Sequence, residues 1–268
     1  MKRKLTVCIP CYNAEKHIKE TIKSVLAQTY REFNLFIIDN NSTDKTLSLI
    51  SKIKDKRIAI FKNKKNIGMF GNMNKCIQMT KTPYLKILCA DDILFPECLE
   101  KQVEVLEKND KVHLVYNANR IINDHEKILT TRRYFPSSRK VNGGALINSI
   151  LKSGRNPVGE PSNVMLRTSI LKRNKLVFDE SLKYISDLEL WIQILLHGDG
   201  YYINEVLNAF RIHTNSGTYS LYVNAIKEHS KLVSLYGEYI DLSIADIIVI
   251  NMKLYLNLLI KSILLRFI

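Results

Sequence analysis

The chain has 268 residues, is 46% hydrophobic and 25% charged, and carries a formal net charge of +14. This length can bury a full core, and the proportions are those of a globular protein, which excludes a disordered or fibrous chain. The positive charge indicates an anionic partner, and it fits a nucleic acid, an acidic membrane or a phosphorylated substrate equally well.

Strand and helix patterns alternate through the first half of the chain. Short apolar runs predict strands over 5–9, 34–38, 57–61, 84–88 and 112–116. Between them, apolar residues recur at helical spacing. This alternation predicts an α/β fold in which helices cover a parallel sheet and the carboxyl ends of the strands share one edge.

The second half is less regular. The patterns predict helices over 141–151 and 188–196, strands over 162–167 and 201–206, and nearly continuous helix from about residue 219. We therefore expect one domain over 1–217, made of a regular half over about 1–117 and a less regular half over about 118–217. A C-terminal helical extension follows over 218–268.

The last 25 residues combine many Ile and Leu residues with a polar stripe. Lys253, Asn257 and Lys261 recur every four residues and would share one helix face. Such a stripe disfavours a membrane-spanning helix. Two alternatives stay open: the helix packs on the domain, or it lies on an anionic membrane surface.

The cysteines and the N-terminus indicate the compartment. The chain has five cysteines, an odd number without the spacing of a disulfide framework, so we expect free thiols in a reducing environment. The first apolar run is too short for a signal peptide. These features predict a cytoplasmic protein, with peripheral attachment to the inner face of the plasma membrane left open.

Polar or turn-forming residues follow each of the first four predicted strands. Each group alone is ordinary turn chemistry, but all four would meet at one edge of the sheet and form a ligand site. Adjacent carboxylates repel each other unless a cation compensates them, so the acidic pair predicts either a divalent metal on a diphosphate or a solvated turn. The residues are Pro10, Tyr12, Asn13, Asp39, Asn66, Gly68, Asp91 and Asp92.

Three further candidates lie in the second half. Asp187 begins a predicted helix, where the helix dipole favours an ionised proton acceptor; a plain N-cap is the alternative. Arg211 and His213 would share a face of an extended segment and suit a phosphate or a metal. Asn156 and Glu160 lie in a segment that is either near an acceptor or a simple loop.

In their order along the chain, these motifs resemble those of family-2 glycosyltransferases, inverting enzymes of the GT-A fold. The resemblance covers roughly residues 5–217. It implies that 1–217 is a catalytic domain with a nucleotide-binding half over about 1–117 and an acceptor half over about 118–217. It rests on 6–13, similar to an opening strand and P-x-Y-N turn; on 37–44, similar to D-D-G-S-T-D; on Asn66-Ile67-Gly68 with Asn74; on 88–92, similar to D-x-D-D; on 187–191, similar to E-D-x-x-L-W; and on 211–213, similar to R-x-H.

The resemblance implies a GT-A sheet, mainly parallel and flanked by helices, and an enzyme that moves a sugar with inversion from a nucleotide diphosphate sugar, with UDP favoured. The acceptor would be a hydroxyl of a saccharide or lipid-linked saccharide in bacterial surface polysaccharide or glycolipid synthesis, with Asn156 and Glu160 beside it. Asp187 would be the catalytic base, and Asp39 would bind the nucleobase. Mg²⁺ or Mn²⁺ would be held by Asp91, Asp92 and His213. The nucleotide-binding set implied is Pro10, Tyr12, Asn13, Asp39, Asn66, Gly68, Asn74, Asp91 and Arg211.

Three positions depart from the usual motifs. Cys89 stands where the first acid of D-x-D-D often lies, Asn40-Asn41 replaces Asp-Gly, and Ser186 replaces the Glu before the base. These departures affect a ribose or metal contact and the tuning of the base, but they keep the adjacent acids and the candidate base.

Two other functions compete with sugar transfer. A sugar-1-phosphate nucleotidyltransferase would require a Gly-rich basic loop after the first strand, and residues 10–14 contain neither Gly nor a basic residue. A module that binds nucleic acid or an anionic membrane would present basic residues among exposed aromatics. Here the basic residues are dispersed and the loop ends are acidic, so we expect no nucleic-acid partner.

Overall fold

The computed structural model of the chain describes residues 3–212, 225–240, 245–246, 248–250, 252 and 256. Within this part the chain forms one ten-stranded sheet covered by helices. The strands are β1 Leu5–Cys11, β2 Phe33–Asp39, β3 Ile58–Lys62, β4 Tyr84–Ile87, β5 Ile93–Leu94, β6 Val112–Ile122, β7 Ile128–Arg132, β8 Arg139–Val141, β9 Val164–Arg167 and β10 Asp199–Arg211. The helices are α1 Ile18–Leu26, α2 Thr46–Ser51, α3 Met69–Met79, α4 Cys98–Lys108, α5 Gly143–Ser153, α6 Thr168–Arg173, α7 Ser186–Leu195 and α8 Ala225–Tyr236.

The strand order explains how loops from both halves of the chain reach one edge. The order is β3-β2-β1-β4-β9-β6-β10-β5, with β7 beside β6 and β8 beside β10. Strands β1 to β4 are parallel, and β9 is antiparallel to both β4 and β6. Because β10 is parallel to β6, both run in the direction of β1 to β4. The predicted α/β fold is confirmed, with a sheet that is mixed in its second half.

Every predicted strand is present. Strands β6 and β10 are longer than predicted, since their polar residues belong to buried strand ends rather than to loops. The short strands β5, β7 and β8 carry too few apolar residues for a recognisable pattern.

Each face of the sheet is covered by its own hydrophobic layer. Ile18, Ile22 and Val25 of α1 are spaced three and four residues apart, so they form one buried face and pack in a cluster with α4. On the opposite face, α3, α5 and α7 pack in a second cluster that includes Trp191. Alternate side chains of β1 divide between the two layers, with Val7 in the first and Cys8 in the second. The five cysteines are all unpaired.

A buried network of amide side chains and one lysine crosses the centre of the sheet. Lys86 Nζ donates to Gln102 Oε1 at 3.0 Å, and Gln102 Nε2 donates to Asn117 Oδ1 at 2.8 Å. Asn117 Nδ2 in turn donates to Asn163 Oδ1 at 2.9 Å and to Asn208 Oδ1 at 2.8 Å. The network therefore joins β4, α4, β6 and β10. Burial lowers the pKa of Lys86, which shares this site with neutral amides.

The C-terminal part is described only in places. Lys253, Asn257 and Lys261, which carry the predicted polar stripe, lie outside the described residues. None of the helices in the described part is both long enough and apolar enough to cross a membrane.

Candidate active site

A cavity of about 530 Å³ lies at the carboxyl ends of β1, β2, β4 and β10. Its size is in the usual range for a small-molecule site. The structure brings nine of the predicted residues to its wall, and they come from both halves of the chain. They are Pro10, Tyr12, Asn13, Asn66, Gly68, Asp91, Glu160, Asp187 and Arg211. Four others, Asp39, Asn74, Asp92 and Asn156, do not line it, and His213 lies outside the described residues.

Asn13 connects the loops that follow β1 and β2. It has a positive φ of 49°, which Asn tolerates better than most residues. Its Oδ1 accepts from Thr43 N at 2.9 Å, and its own N donates to Ser42 Oγ at 3.0 Å. The side chain predicted to bind the nucleotide thus holds two loops together. Tyr12, beside it, is 46% exposed and offers an aromatic face to the cavity.

The side chain of Asn40 makes four hydrogen bonds to the segment 63–68, and the sequence did not single it out as a site residue. Its Nδ2 donates to Asn66 Oδ1 at 2.8 Å and to Gly68 O at 3.0 Å. Its Oδ1 accepts from Asn63 Nδ2 at 2.8 Å and from Ile67 N at 3.0 Å. An amide can donate and accept at once, whereas a carboxylate only accepts. This gives a physical reason for Asn where the usual motif has Asp.

Asp39 is fully buried at the end of β2. Its Oδ2 accepts from Ser42 N at 3.2 Å, while its Oδ1 has no hydrogen-bond partner within the described residues. A buried carboxylate oxygen without a partner costs roughly 1–3 kcal/mol or more. Asp39 is not among the residues that line the cavity, but the next residue, Asn40, is, so the expected contact with a nucleobase stays a prediction.

Asn74 has a structural role that the sequence did not indicate. Its Nδ2 donates to Phe178 O at 3.0 Å and its Oδ1 accepts from Phe178 N at 2.8 Å. The two bonds fasten α3 to the segment that precedes α7. Both polar ends of its amide are used in this link, and the expected contact of Asn74 with the nucleotide stays a prediction.

The two adjacent acids, Asp91 and Asp92, lie in different surroundings. Asp91 lines the cavity. Asp92 is fully buried, and its Oδ1 accepts from Arg211 N at 2.8 Å. Burial, reinforced by the charge of Asp91, raises the pKa of Asp92 well above its usual range. Of the two acids, Asp91 lines the cavity and Asp92 does not, so the geometry favours Asp91 for the metal contact, and the prediction that both acids hold a metal stays a prediction.

Arg211 uses its guanidinium to hold the site together. Nε donates to the Asp91 carbonyl at 2.9 Å, Nη1 to the Asn123 carbonyl at 3.2 Å, and Nη2 to Glu20 Oε2 at 2.8 Å. Its side chain is only 1% exposed. These bonds fix the loop carrying Asp91 against α1, and the phosphate contact of Arg211, which also lines the cavity, stays a prediction.

A divalent cation fits Asp91 only with ligands from a substrate. Among the described residues, no three acidic, His or Cys side chains form a group that could hold a metal. Mg²⁺ sites that serve diphosphate substrates commonly use one or two carboxylates and complete their coordination with phosphate oxygens and water. Asp91, at the wall of the cavity, matches that pattern.

Asp187 is the second residue of α7 and lines the cavity. Its Oδ1 accepts from Leu188 N at 2.7 Å, and Asn156 Nδ2 approaches its Oδ2 at 3.4 Å. Burial, with a smaller contribution from the like charge of Glu160, raises the pKa of Asp187 to about 7. A carboxylate with a pKa near neutrality is suited to act as a general base.

Glu160 belongs to the wall beside Asp187. Its Oε1 pairs with Arg132 Nη1 at 2.6 Å, whereas its Oε2 is buried and has no hydrogen-bond partner within the described residues. Asn156, predicted with it, contributes indirectly: its Oδ1 accepts from Val158 N and Gly159 N, so it shapes the loop.

The sequence also did not indicate a charged group formed by Lys16, His17 and Asp124 at the cavity. Lys16 Nζ pairs with Asp124 Oδ2 at 2.6 Å, and His17 Nε2 lies 3.2 Å from Asp124 Oδ1. All three line the cavity. Asp124 lies in the turn between β6 and β7, more than 100 positions from its partners in the sequence. No local sequence pattern predicts such a contact.

The fold is that of known sugar-transferring enzymes. The Staphylococcus aureus protein TarS, solved in complex with UDP-GlcNAc, superposes with a TM-score of 0.72 at 20% identity, covering 91% of this chain and 69% of that one. The mannosyltransferase PcManGT of Pyrobaculum calidifontis, in complex with GDP-Man and Mn²⁺, gives a TM-score of 0.62 at 14% identity, covering 94% and 69%. These likenesses define the class by its fold.

Sequence relatives identify the family. Residues 6–174 match the model of glycosyl transferase family 2, and the chain belongs to this family. An uncharacterized glycosyltransferase of Haemophilus influenzae is 31% identical over 233 residues, covering 85% of this chain and 71% of the relative. The Escherichia coli UDP-Glc:alpha-D-GlcNAc-diphosphoundecaprenol beta-1,3-glucosyltransferase WfaP is 30% identical over 234 residues, 86% of each protein. The predicted family and the prediction of a glycosyltransferase are thus confirmed.

Proposed function

We propose that this glycosyltransferase moves a sugar from a UDP-sugar to a hydroxyl of a saccharide or lipid-linked saccharide, with inversion at the anomeric carbon. The proposal rests on the observation that Asp91 and Asp187, which come from different halves of the chain, line the same cavity. Two E. coli relatives, WfaP and WfgD, are named for a UDP-Glc donor and a diphosphoundecaprenol-linked acceptor, which supports this choice of substrates.

The nucleotide is expected beside the loops that follow β1, β2 and β3. The ring of Tyr12 is exposed there and can stack on a base, and Asp39 Oδ1 is a buried acceptor in need of a donor. A pyrimidine N–H or a ribose hydroxyl would satisfy that oxygen. Asn66 and Gly68, both held by Asn40, form the opposite wall.

The diphosphate is expected near Asp91. Asp91 would hold Mg²⁺ or Mn²⁺ together with diphosphate oxygens, and the ion would supply positive charge for the departing nucleoside diphosphate. Arg211 keeps the Asp91 loop in place through the Asp91 carbonyl. Asp92 fixes the end of β10 through Arg211 N.

The reaction is a single displacement. The acceptor oxygen forms a bond to the anomeric carbon as the bond from that carbon to the diphosphate oxygen breaks, and the hydroxyl proton passes to Asp187. Glu160 Oε2, a buried acceptor on the same wall, is suited to bind another hydroxyl of the acceptor sugar. Asn156 keeps the carboxylate of Asp187 oriented.

Lipid-linked acceptors would bring the enzyme to a membrane. The net charge of +14 supports an anionic surface as a second partner, at the inner face of the plasma membrane. Vesicles with and without anionic lipid test this attraction. If the protein sediments equally with both kinds, or with neither, the membrane surface is removed from the proposal.

The domain boundaries predicted at residues 117 and 217 stay predictions.

A panel of nucleotide sugars tests the main proposal. The wild-type protein and Asp187→Asn are incubated with Mn²⁺, each donor and a lipid-linked acceptor analogue, and products are detected by mass spectrometry and their anomeric configuration by NMR. We expect UDP-dependent transfer with an inverted anomer, and a loss of about 1000-fold or more in kcat for the variant with unchanged donor affinity. Full activity of the variant, or a retained configuration, would contradict the mechanism.

A further inference from the structure

Glu228 connects the C-terminal helix to the backbone that precedes the candidate base. It lies in α8 and is 8% exposed. Its Oε1 accepts from Lys183 N at 2.7 Å, and its Oε2 accepts from Tyr184 N at 2.8 Å and from Ile185 N at 3.1 Å. One carboxylate thus binds three consecutive backbone amides across more than 40 positions of sequence.

These three amides lie just before α7, which starts at Ser186 with Ile185 as its N-cap residue. A negative group is favoured there because the helix dipole is positive at that end. No side-chain cap closes α7 at Ile185 itself. Glu228 therefore binds the backbone that leads into α7 and places a negative charge beside the N-terminus of that helix. Asp187 follows Ile185 by two residues, and Lys183 and Tyr184 line the cavity.

A second contact joins α8 directly to α7. Tyr236 of α8 donates its hydroxyl to Glu189 Oε1 at 2.5 Å. Between Glu228 and Tyr236, Leu232 is fully buried in the hydrophobic cluster that contains Leu188. Helix α8 thus reaches α7 and the segment before it through two polar contacts, while it also packs against α5.

We propose that Glu228 is a positioning residue for catalysis, and that α8 is a working part of the acceptor site rather than an appendage. The inference rests on the proposed role of Asp187 as base. By binding the amides of 183–185, Glu228 fixes where α7 begins and therefore where the Asp187 carboxylate meets the acceptor hydroxyl. Both α7 and Glu228 lie beyond residue 174, where the match to the family model ends.

A purely stabilising role would give a different kinetic result. A loss of stability lowers the amount of active enzyme, but it leaves kcat unchanged when kcat is calculated per folded molecule, so the folded fraction of each variant is measured alongside its kinetics. A misplaced base lowers kcat and spares donor binding, because the donor contacts the loops after β1 to β4 on the other side of the cavity. Small displacements of a catalytic group can cost about 100-fold in rate.

The experiment uses the full chain with Glu228→Gln, Glu228→Asp and the control Glu238→Gln. Glu238 is exposed just beyond α8, so the control makes the same chemical change without the three bonds. We expect Glu228→Gln to lower kcat about 10- to 100-fold with the donor KM within about twofold. Glu228→Asp, which keeps the charge, should lose less, and the control should match the wild type. Hydrogen exchange should become faster for 183–186 only in the Glu228 variants.

Asp187→Asn, measured in parallel, separates the two proposals. If it is inactive while Glu228→Gln keeps wild-type kcat, the positioning role is wrong and the base stands. If Asp187→Asn is active, the base assignment fails whatever Glu228 does. Should Glu228→Gln fail to fold, Tyr236→Phe replaces it, since this change removes only the hydroxyl bond to Glu189. We expect kcat about two- to fivefold lower at unchanged donor KM, and an unchanged kcat would overturn the proposal.

Discussion

The donor side and the acceptor side of the cavity are held together by different means. On the donor side, Asn13 and Asn40 connect loops that lie within 30 positions of them and inside recognisable motifs. On the acceptor side, Asp187 is oriented and tuned by Asn156 and Glu160, and its helix is held by Glu228. The donor side is thus built from local segments, whereas the acceptor side is assembled from distant ones. Changes far from the base can therefore alter its chemistry.

The largest effect expected on the donor side comes from Asp91. Asp91→Asn should lower kcat/KM about 100-fold and weaken the dependence on Mn²⁺, because it removes the carboxylate that we propose holds the ion on the diphosphate. Asp92→Asn is the matched control: Asp92 is buried and its raised pKa favours the neutral form, so an amide of the same shape should keep activity within about fivefold. Metal titrations of both variants check this. Equal losses would restore Asp92 as a ligand.

On the acceptor side, pH should control the rate through Asp187. A base must be ionised, and the pKa of Asp187 is raised to about 7, so kcat/KM should fall about tenfold per pH unit below pH 7 and level off above pH 8. A pH profile with the acceptor limiting checks this. A profile flat from pH 5.5 to 8 would contradict it.

The same shift has a consequence for stability. Because the folded-state pKa lies above the unfolded value, the ionised form of Asp187 destabilises the native state increasingly from about pH 4 to pH 7. Asp187→Asn removes this cost, so its gain in Tm over the wild type should be larger at pH 8 than at pH 4.5. Thermal melts at the two pH values measure the difference, and an equal gain at both would argue against the raised pKa.

Substitution of Asn40 should mainly lower the stability of the protein. Asn40→Asp removes two donated bonds and places a carboxylate against Asn66 Oδ1 and Gly68 O. The free energy of unfolding should fall by about 2–4 kcal/mol, as expected for buried groups that lose their partners. Asn41→Asp, the neighbouring change, is the control and should stay within about 0.5 kcal/mol. Urea denaturation compares the two, and similar losses would remove Asn40 from its role.

The smallest effect tests the tuning of the base. Arg132→Gln leaves Glu160 without its cation, and the stronger like charge should raise the pKa of Asp187 further. The acid limb of the rate profile should move to higher pH by about half a unit. Arg133→Gln makes the same charge change beside Asn204 and should leave the limb in place. A shift in both variants would indicate a general charge effect.

Much of the donor side could be predicted from sequence because strand ends and loop motifs are local. The apolar runs located β1 to β4, and parallel strands necessarily bring Tyr12, Asn66 and Asp91 to one edge. The helix pattern placed Asp187 at a helix start, where a plain N-cap was the simpler interpretation, and its role as base came from the resemblance to family 2. These features need only a few neighbouring residues to be recognised.

The remainder depends on contacts that no local pattern shows. Asp92 and Asp91 look equivalent in sequence, and only the register of β10 against β6, which places Arg211 beside them, makes one of them buried. Asn74 was assigned to the nucleotide because its motif does not show the packing of 178–180 on α3. Glu228 resembled any surface acid of a helix until its three amide partners were known.

The buried network from Lys86 to Asn208 has a consequence for motion. A strand that slips by one residue turns every side chain to the opposite face, and here it would separate several amide pairs at once. The central strands should therefore behave as a rigid body throughout turnover. Entry of an acceptor and exit of the spent nucleotide must then come from displacement of the rim, and the speed of those rim movements sets an upper bound on the number of cycles the enzyme completes per second.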